Sequence, residues 1–194
     1  MKILILSITA ILQSLTIRYQ PLYENGGLTN NLDHITLFRA MARLQAIAPN
    51  DSILTIIDMQ KPSSDKRLFV IDVKKQQLLH HSHVAHGQAS GKLFAAKFSN
   101  KIGSFCTSTG LYRTGETYWG RNGYSLRLDG LDVGVNHNAR TRGIVIHPSE
   151  YASPDYLLYN GILGRSQGCP ALPPEQSRQI IETIKNGTLL YIAN

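Results

Sequence analysis

A mainly β fold with flanking helices, closed as a sandwich or a compact barrel-like sheet, is what the sequence predicts. Three observations carry this expectation: a helical apolar pattern ahead of Pro49, a series of short β-type runs beyond Asp51, and a second helical pattern after Cys169. In residues 31–48, Leu37, Met41, Leu44 and Ala48 recur at helical spacing, with Asn31 or Asp33 as the cap and Pro49 as the stop. The Gly26-Gly27 pair before it reads as a loop, and the helix as a short appendage to the β-rich remainder of the chain. The runs 53–59, 68–73, 77–81, 124–128 and 143–147 are rich in Ile, Leu, Val and Tyr and are separated by Gly, Asn, Asp, Ser and Pro, so strands are expected to prevail as far as Pro170. Residues 61–66 form a polar turn and residues 72–75 open a hairpin, which makes antiparallel neighbours the common case. Pro173 and Pro174 suit the first turn of a helix, Ile180, Ile181 and Ile184 give it an apolar face, and Gly187 stops it before a last strand at 188–193. No internal repeat is present.

The chain has 194 residues and a formal charge of +7. That length holds one domain with a real core and is short for two. The charge attracts polyanions: nucleic acid, anionic lipid or the acidic polymers of a cell envelope. No clustered Lys/Arg run with interleaved aromatics occurs and the basic residues are spread from Lys2 to Lys185, so a nucleic-acid partner is not expected, while association with an envelope surface stays open. Lys2 followed by the apolar residues 3–12 has the outline of a secretory signal and is too short to span a bilayer. Ser14 and Thr16 offer small residues before a cut near Ile17, although Gln13 ends the apolar stretch and no A-x-A occurs. An N-terminal strand or helix kept on the protein is the alternative.

Cys106 and Cys169 form no C-x-x-C pair, so neither a zinc site nor a dithiol redox site is indicated. Cys169 comes directly after a Gly-rich stretch, residues 161–168, and the β-type run Ile144-Val145-Ile146 ends at His147. A thiol attacks a carbonyl as thiolate, and an imidazole that takes its proton makes it a strong nucleophile. Gly168 adopts backbone angles open to few other residues, so its N–H and that of Cys169 form the candidate oxyanion hole. For an arbitrary Cys and His, an inert buried thiol and a satisfied strand-end histidine are the better reading; here the paired contexts Ser166-x-Gly168-Cys169 and Ile146-His147-x-Ser149 shift the balance. Ser149 and Ser166 are candidates to orient the second ring nitrogen of His147, against the plain alternative of turn serines bonding their own backbone. His80, His81, His83 and His86 form a cluster in which His81 and His83 would share a strand face as a metal pair does, but a third ligand is not evident, so no metal and no cofactor is expected. Cys106 reads as a small buried thiol, with a disulfide to Cys169 as the alternative.

The order of His147 and then Ser166-Gln167-Gly168-Cys169 resembles the signature of the L,D-transpeptidase catalytic domain, the YkuD-like fold, a mixed β-sandwich. The likeness extends to Ala85-His86-Gly87, Ser90-Gly91, Phe98-Ser99-Asn100, Ser108-Thr109-Gly110-Leu111-Tyr112 and Gly164-Arg165-Ser166-Gln167-Gly168-Cys169-Pro170-Ala171-Leu172, which are similar to the branch of murein L,D-transpeptidase catalytic domain proteins. It covers the chain from about Asp51 to the end. One departure is plain: wider-family members have a hydrophobic residue and an arginine after the cysteine, where this chain has Pro170 and Ala171. Arg165 or Arg142 is the candidate replacement.

The resemblance implies one reaction on peptidoglycan stem peptides. Cys169 attacks the carbonyl between the L-centre of diaminopimelate and a terminal D-Ala, D-Ala leaves, and an amine of a second stem takes the acyl group; His147 moves the protons. The same likeness implies a backbone carbonyl near the serine of the motif as the partner of the second ring nitrogen of His147 and places His86 near the site, and His86, Arg165, Arg142 and Tyr112 are the candidate substrate contacts. An L,D-carboxypeptidase using water as acceptor is the near alternative, and a non-catalytic peptidoglycan-binding domain or an unrelated thiol peptidase are the distant ones. The expected layout is a signal peptide at 1–20, a helical extension at 21–50 and the catalytic domain at 51–194, in a protein that works in the periplasm or otherwise outside the cytoplasm.

Overall fold

Burial of the central strands on both faces sets the architecture, because successive side chains of a strand point to opposite faces and enter two separate clusters. The computed structural model describes residues 19–24, 27–48 and 51–194; the expected leader, apart from its last two residues, and the stop at Pro49 lie outside the described residues. In β1 (Ile53–Asp58), Leu54 and Ile56 face one way and Ile57 the other. In β2 (Leu68–Asp72), Phe69 and Ile71 join the first face, Leu68 and Val70 the second. The last strand, β8 (Leu189–Ala193), repeats the pattern, with Leu189 on one side and Leu190 and Ile192 on the other.

Helix α1 (His34–Ile47) covers the first face. Asp33 caps it by accepting from the Thr36 N–H at 2.8 Å, and Leu37, Ala40, Met41 and Leu44 pack with Leu54, Ile56, Phe69, Ile71, Leu111 and Leu189. Tyr19, Leu22, Leu28 and Leu32 belong to the same buried cluster, so the described residues between 19 and 48 build one layer of the core rather than an appendage. On the second face lies α3 (Pro174–Ile184), whose Ile180, Ile181 and Ile184 enter the larger cluster. It starts with proline in its first turn, as expected, but ends at Lys185 rather than at Gly187.

The remaining strands are β3 (Gln77–Ser82), β4 (Gly110–Gly120), β5 (Gly123–Gly130), β6 (Val145–Pro148) and β7 (Ala171–Leu172). These strands lie in the order β3-β2-β1-β8-β4-β5-β6-β7. Among them β1 with β8 and β6 with β7 pair in parallel, and the other neighbours are antiparallel. The hairpin at residues 72–75 forms, with the Asp72 carboxylate accepting from the Lys74 and Lys75 N–H groups at 3.1 and 3.0 Å. Beyond β3 the chain crosses to the far end of the order, where Ala85 bridges Ala171 and Gly87 bridges Ser166. The two ends of the sheet thereby meet, giving the mainly β, barrel-like fold that the sequence predicted. The sequence reading missed β4, β7 and the short helix α2 (Pro154–Asn160).

Gly87 is where the closing segment meets the Cys169 loop. A Cβ there would lie 2.5 Å from the Phe105 carbonyl oxygen, 2.8 Å from the Thr107 nitrogen and 2.9 Å from the Gly168 Cα, all of them backbone. Next to it, His86 is fully buried: its Nδ1 sits 2.8 Å from Arg67 Nη2 and its Nε2 3.3 Å from the Gly91 carbonyl. Arg67 is itself fully buried and also donates to the carbonyls of Val84 and Lys61. Burial first, and the Arg67 charge second, hold the His86 ring down at about 4 from its ordinary 6.5.

Two outcomes are expected. Gly87→Ala lowers stability by about 1–3 kcal/mol, as overpacking against backbone does, read as a lower denaturant midpoint at unchanged slope; an unchanged midpoint would mean that the two segments part freely. Between pH 6.5 and about 4 the unfolded chain holds a proton on His86 that the folded protein refuses, so stability is full above that window and declines as pH falls through it. The shift corresponds to roughly 3 kcal/mol, and thermal melts of the protein and of His86→Gln across this range measure it as the part of the decline that the variant lacks.

Candidate active site

The parallel pairing of β6 with β7 assembles the site. It sets His147 opposite Ala171, and the His147 N–H donates to the Pro170 carbonyl at 3.4 Å, so the histidine backbone lies beside the residue next after Cys169. Both side chains line one cleft of about 670 Å³. Its floor includes Arg142, Gly143 and Val145, and its walls come from the 102–105 loop, the tip of the β4–β5 hairpin and residues 149–151 and 165–167. Among the lining residues are three arginines, Arg121, Arg142 and Arg165, and no aspartate or glutamate.

The Cys169 thiol donates to the Gly143 carbonyl at 3.6 Å. Burial pushes its pKa up; the Val145 N–H and the Arg142 charge oppose that by favouring the thiolate. His147 is buried, and burial pushes its pKa down, partly offset by the Pro148 carbonyl. Both shifts favour an uncharged thiol and an uncharged imidazole in the same cleft. The His147 Nδ1 lies 2.9 Å from the Pro148 carbonyl oxygen. A carbonyl only accepts, so Nδ1 carries the proton and Nε2 is the basic nitrogen.

That carbonyl corrects one expectation, since neither Ser149 nor Ser166 orients the ring. The Ser166 hydroxyl is engaged locally, donating to the Cys169 carbonyl at 2.6 Å and accepting from the Gly168 N–H at 3.0 Å. The second bond corrects another expectation: the Gly168 N–H closes this turn and is not free for an oxyanion. The Cys169 N–H has no acceptor among the described residues and stays available. Gly168 does need its missing side chain, with φ at +122° and an added Cβ only 2.8 Å from the Cys106 carbonyl oxygen.

The structure brings Cys169, His147, Ser149, Ser166, Arg142 and Arg165 to the cleft. It does not bring His86 or Tyr112 there as substrate contacts. His86 is locked by Arg67 beneath the cleft, and the fully buried Tyr112 bonds through its hydroxyl to Ser108. Arg142 lines the cleft, yet its Nη1 and Nη2 donate to the carbonyls of Ser99 and Cys106 and to the hydroxyls of Ser108 and Ser104. It braces the loop under the thiol. Cys106 is a buried free thiol. His81 and His83 pin the 64–66 turn through the Lys66 and Ser64 carbonyls, His80 meets the Thr183 hydroxyl, and no described group of three or more His, Cys, Asp or Glu could hold a metal ion. Sequence reasoning missed the Val145 N–H and Arg121, and it did not say which backbone carbonyl meets His147. Only Arg121 left a signal, since Arg121-Asn122-Gly123 is a hairpin turn sequence.

Comparison with solved structures finds L,D-transpeptidases at low similarity. One from Mycobacterium smegmatis is 14% identical over 74% of this chain and 59% of its own, with a TM-score of 0.44. One from Mycobacterium tuberculosis H37Rv is 14% identical over 74% of this chain and 58% of its own, at 0.46. One from Enterococcus faecium is 15% identical over 73% of this chain and 50% of its own, at 0.42. The chain thus spans between a half and three-fifths of the length of these proteins. A comparison with curated proteins finds no match. The model of the L,D-transpeptidase catalytic domain matches residues 30–193, nearly the whole chain, and the chain belongs to that family of acyl-transferring enzymes.

Proposed function

We propose that this protein is a peptidoglycan L,D-transpeptidase in which Cys169 is the nucleophile and His147 the base. One observation carries the reading: the cysteine in the cleft shares it with an imidazole whose Nδ1 proton is fixed on a backbone carbonyl, which leaves Nε2 as the acceptor for a thiol proton. The Cys169 sulfur attacks the carbonyl between the L-centre of diaminopimelate and the terminal D-Ala of a tetrapeptide stem. His147 takes the thiol proton and delivers it to the departing D-Ala amine. The thioester is then taken by an amine of a second stem, which His147 deprotonates as it attacks, and the thiol is restored. The Cys169 N–H serves the oxyanion formed in both steps. A substrate of this kind places the protein outside the cytoplasm, at the envelope, where its positive charge favours acidic polymers.

Burial gives the chemistry a definite form. With the thiol pushed up and the imidazole pushed down, the resting pair is uncharged, and proton transfer accompanies attack instead of preceding it.

Incubation with disaccharide tetrapeptide, followed by mass analysis, tests the reading. Cross-linked dimer is expected from the protein and none from Cys169→Ala, with sacculus binding kept by that variant; tripeptide alone would make the protein an L,D-carboxypeptidase, and turnover by the variant would end the mechanism. The pH profile is a second check. Because His147 acts as a neutral base with a lowered pKa, kcat/KM is expected to fall on the acid side only below the ordinary histidine value of 6.5. An acid limb centred above 6.5 would contradict a neutral base of lowered pKa, and a preformed thiolate–imidazolium pair would instead show itself as a basic limb, where the imidazolium gives up its proton.

A further inference from the structure

Arg121 and Arg165 face the cleft with no counter-charge among the described residues. Arg121 and Asn122 form the two-residue turn between β4 and β5, and Arg121 is exposed along the cleft wall. Arg165, just before Ser166, lines the same cleft, and its guanidinium donates to the Gly91 carbonyl at 3.4 Å. Neither makes an ion pair among the described residues.

The fold treats neighbouring arginines differently. On the same hairpin Arg127 pairs with Glu116 at 2.9 Å. Arg140 reaches Glu116 at 2.7 Å and Asp129 at 2.6 Å, and Arg43 pairs with Asp132. Arg142 is saturated by the carbonyls and hydroxyls around it. Carboxylates are therefore at hand close to the hairpin, and none lines the cleft. Unneutralised guanidinium groups lining one cavity form a field that attracts anions, and each offers the paired donors that match a carboxylate.

We propose that Arg121 and Arg165 bind two carboxylates of one donor peptide, so that the cleft selects a peptide end with both carboxylates free over its amidated form. The inference rests on the acyl-transfer reading of this site and names the donor that the site accepts. In a stem tetrapeptide the two groups are the C-terminal carboxylate of D-Ala and the carboxylate at the D-centre of diaminopimelate, which flank the scissile carbonyl on either side.

The test is calorimetric titration of Cys169→Ala protein at low salt with two tetrapeptides, one with both carboxylates free and one with both amidated. The free diacid is expected to bind about tenfold or more tightly, as charge-assisted contacts would give. Adding Arg121→Gln or Arg165→Gln is expected to weaken diacid binding about three- to tenfold each and to leave the diamide unchanged, with Arg121→Lys recovering part of the loss. Equal affinity for the two peptides, or a loss in the arginine variants that is the same for both, would overturn the proposal. The cysteine-bearing protein separates this inference from the reading beneath it. Discrimination without turnover removes the acyl-transfer reading and keeps the carboxylate site; turnover without discrimination does the reverse.

Discussion

The buried guanidinium of Arg67 is the contact on which the site's geometry depends. It lies inside the closing seam of the sheet, where it joins the carbonyls of Lys61 and Val84 to the ring of His86. Burial holds its pKa down to about 10, with Asp58 and Asp65 opposing the drop. A cation without water needs every donor answered, so the three groups around it are held as a unit. The His86 carbonyl accepts from the Ser166 N–H at 2.9 Å, and the Ala85 N–H donates to the Ala171 carbonyl at 2.8 Å. Those two bonds bracket Cys169, so the position of the thiol is tied to a charge buried on the far side of the seam.

Above that support, the local environment of the thiol is made of backbone. The Gly143 carbonyl accepts its hydrogen bond, the Val145 N–H favours its ionised form, and the turn closed by the Ser166 hydroxyl fixes its main chain. Backbone groups on a strand end move little, which suits the proposed reaction, in which a sulfur and an imidazole are held in register. Arg142 adds a charge next to the thiol and, through its four contacts, keeps the 99–108 segment against it. This chain lacks the family arginine after the cysteine, and the bonds of Arg142 make it a brace rather than a hand extended to substrate.

The β4–β5 hairpin, which carries Arg121, is stiffened along its length. The Arg127 guanidinium lies 4.4 Å from the centre of the Tyr118 ring, Trp119 and Tyr124 rings meet at 5.4 Å, and the Tyr124 hydroxyl reaches Glu182 on α3. The carboxylates of Glu116 and Asp129 absorb the charge of the arginines further down. What remains at the tip is an arginine with freedom only at its side chain, set over a cleft whose lining includes no acid.

The sequence by itself determined the local features. A cap at Asn31 or Asp33, the apolar face of α3, the strands β1, β2 and β8, and the Ser-x-Gly-Cys motif at 166–169 arise from side-chain chemistry and spacing within a few residues, and so did the candidate pair Cys169 and His147. β4 was invisible because Gly110, Gly115 and Gly120, with Arg113 and Glu116, carry no strand pattern; it is a strand because β5 and β8 lie on either side of it. The cap signals of α2, Ser153-Pro154 and Gly161, were present but stood in a stretch whose texture favoured strands. Tertiary structure alone decided that the segment ahead of β1 completes the core, that His86 and Tyr112 are inside, that the Gly168 N–H is occupied and that a Pro148 carbonyl orients His147. Each of these depends on which distant backbone groups arrive at a position, and chain spacing carries no record of that.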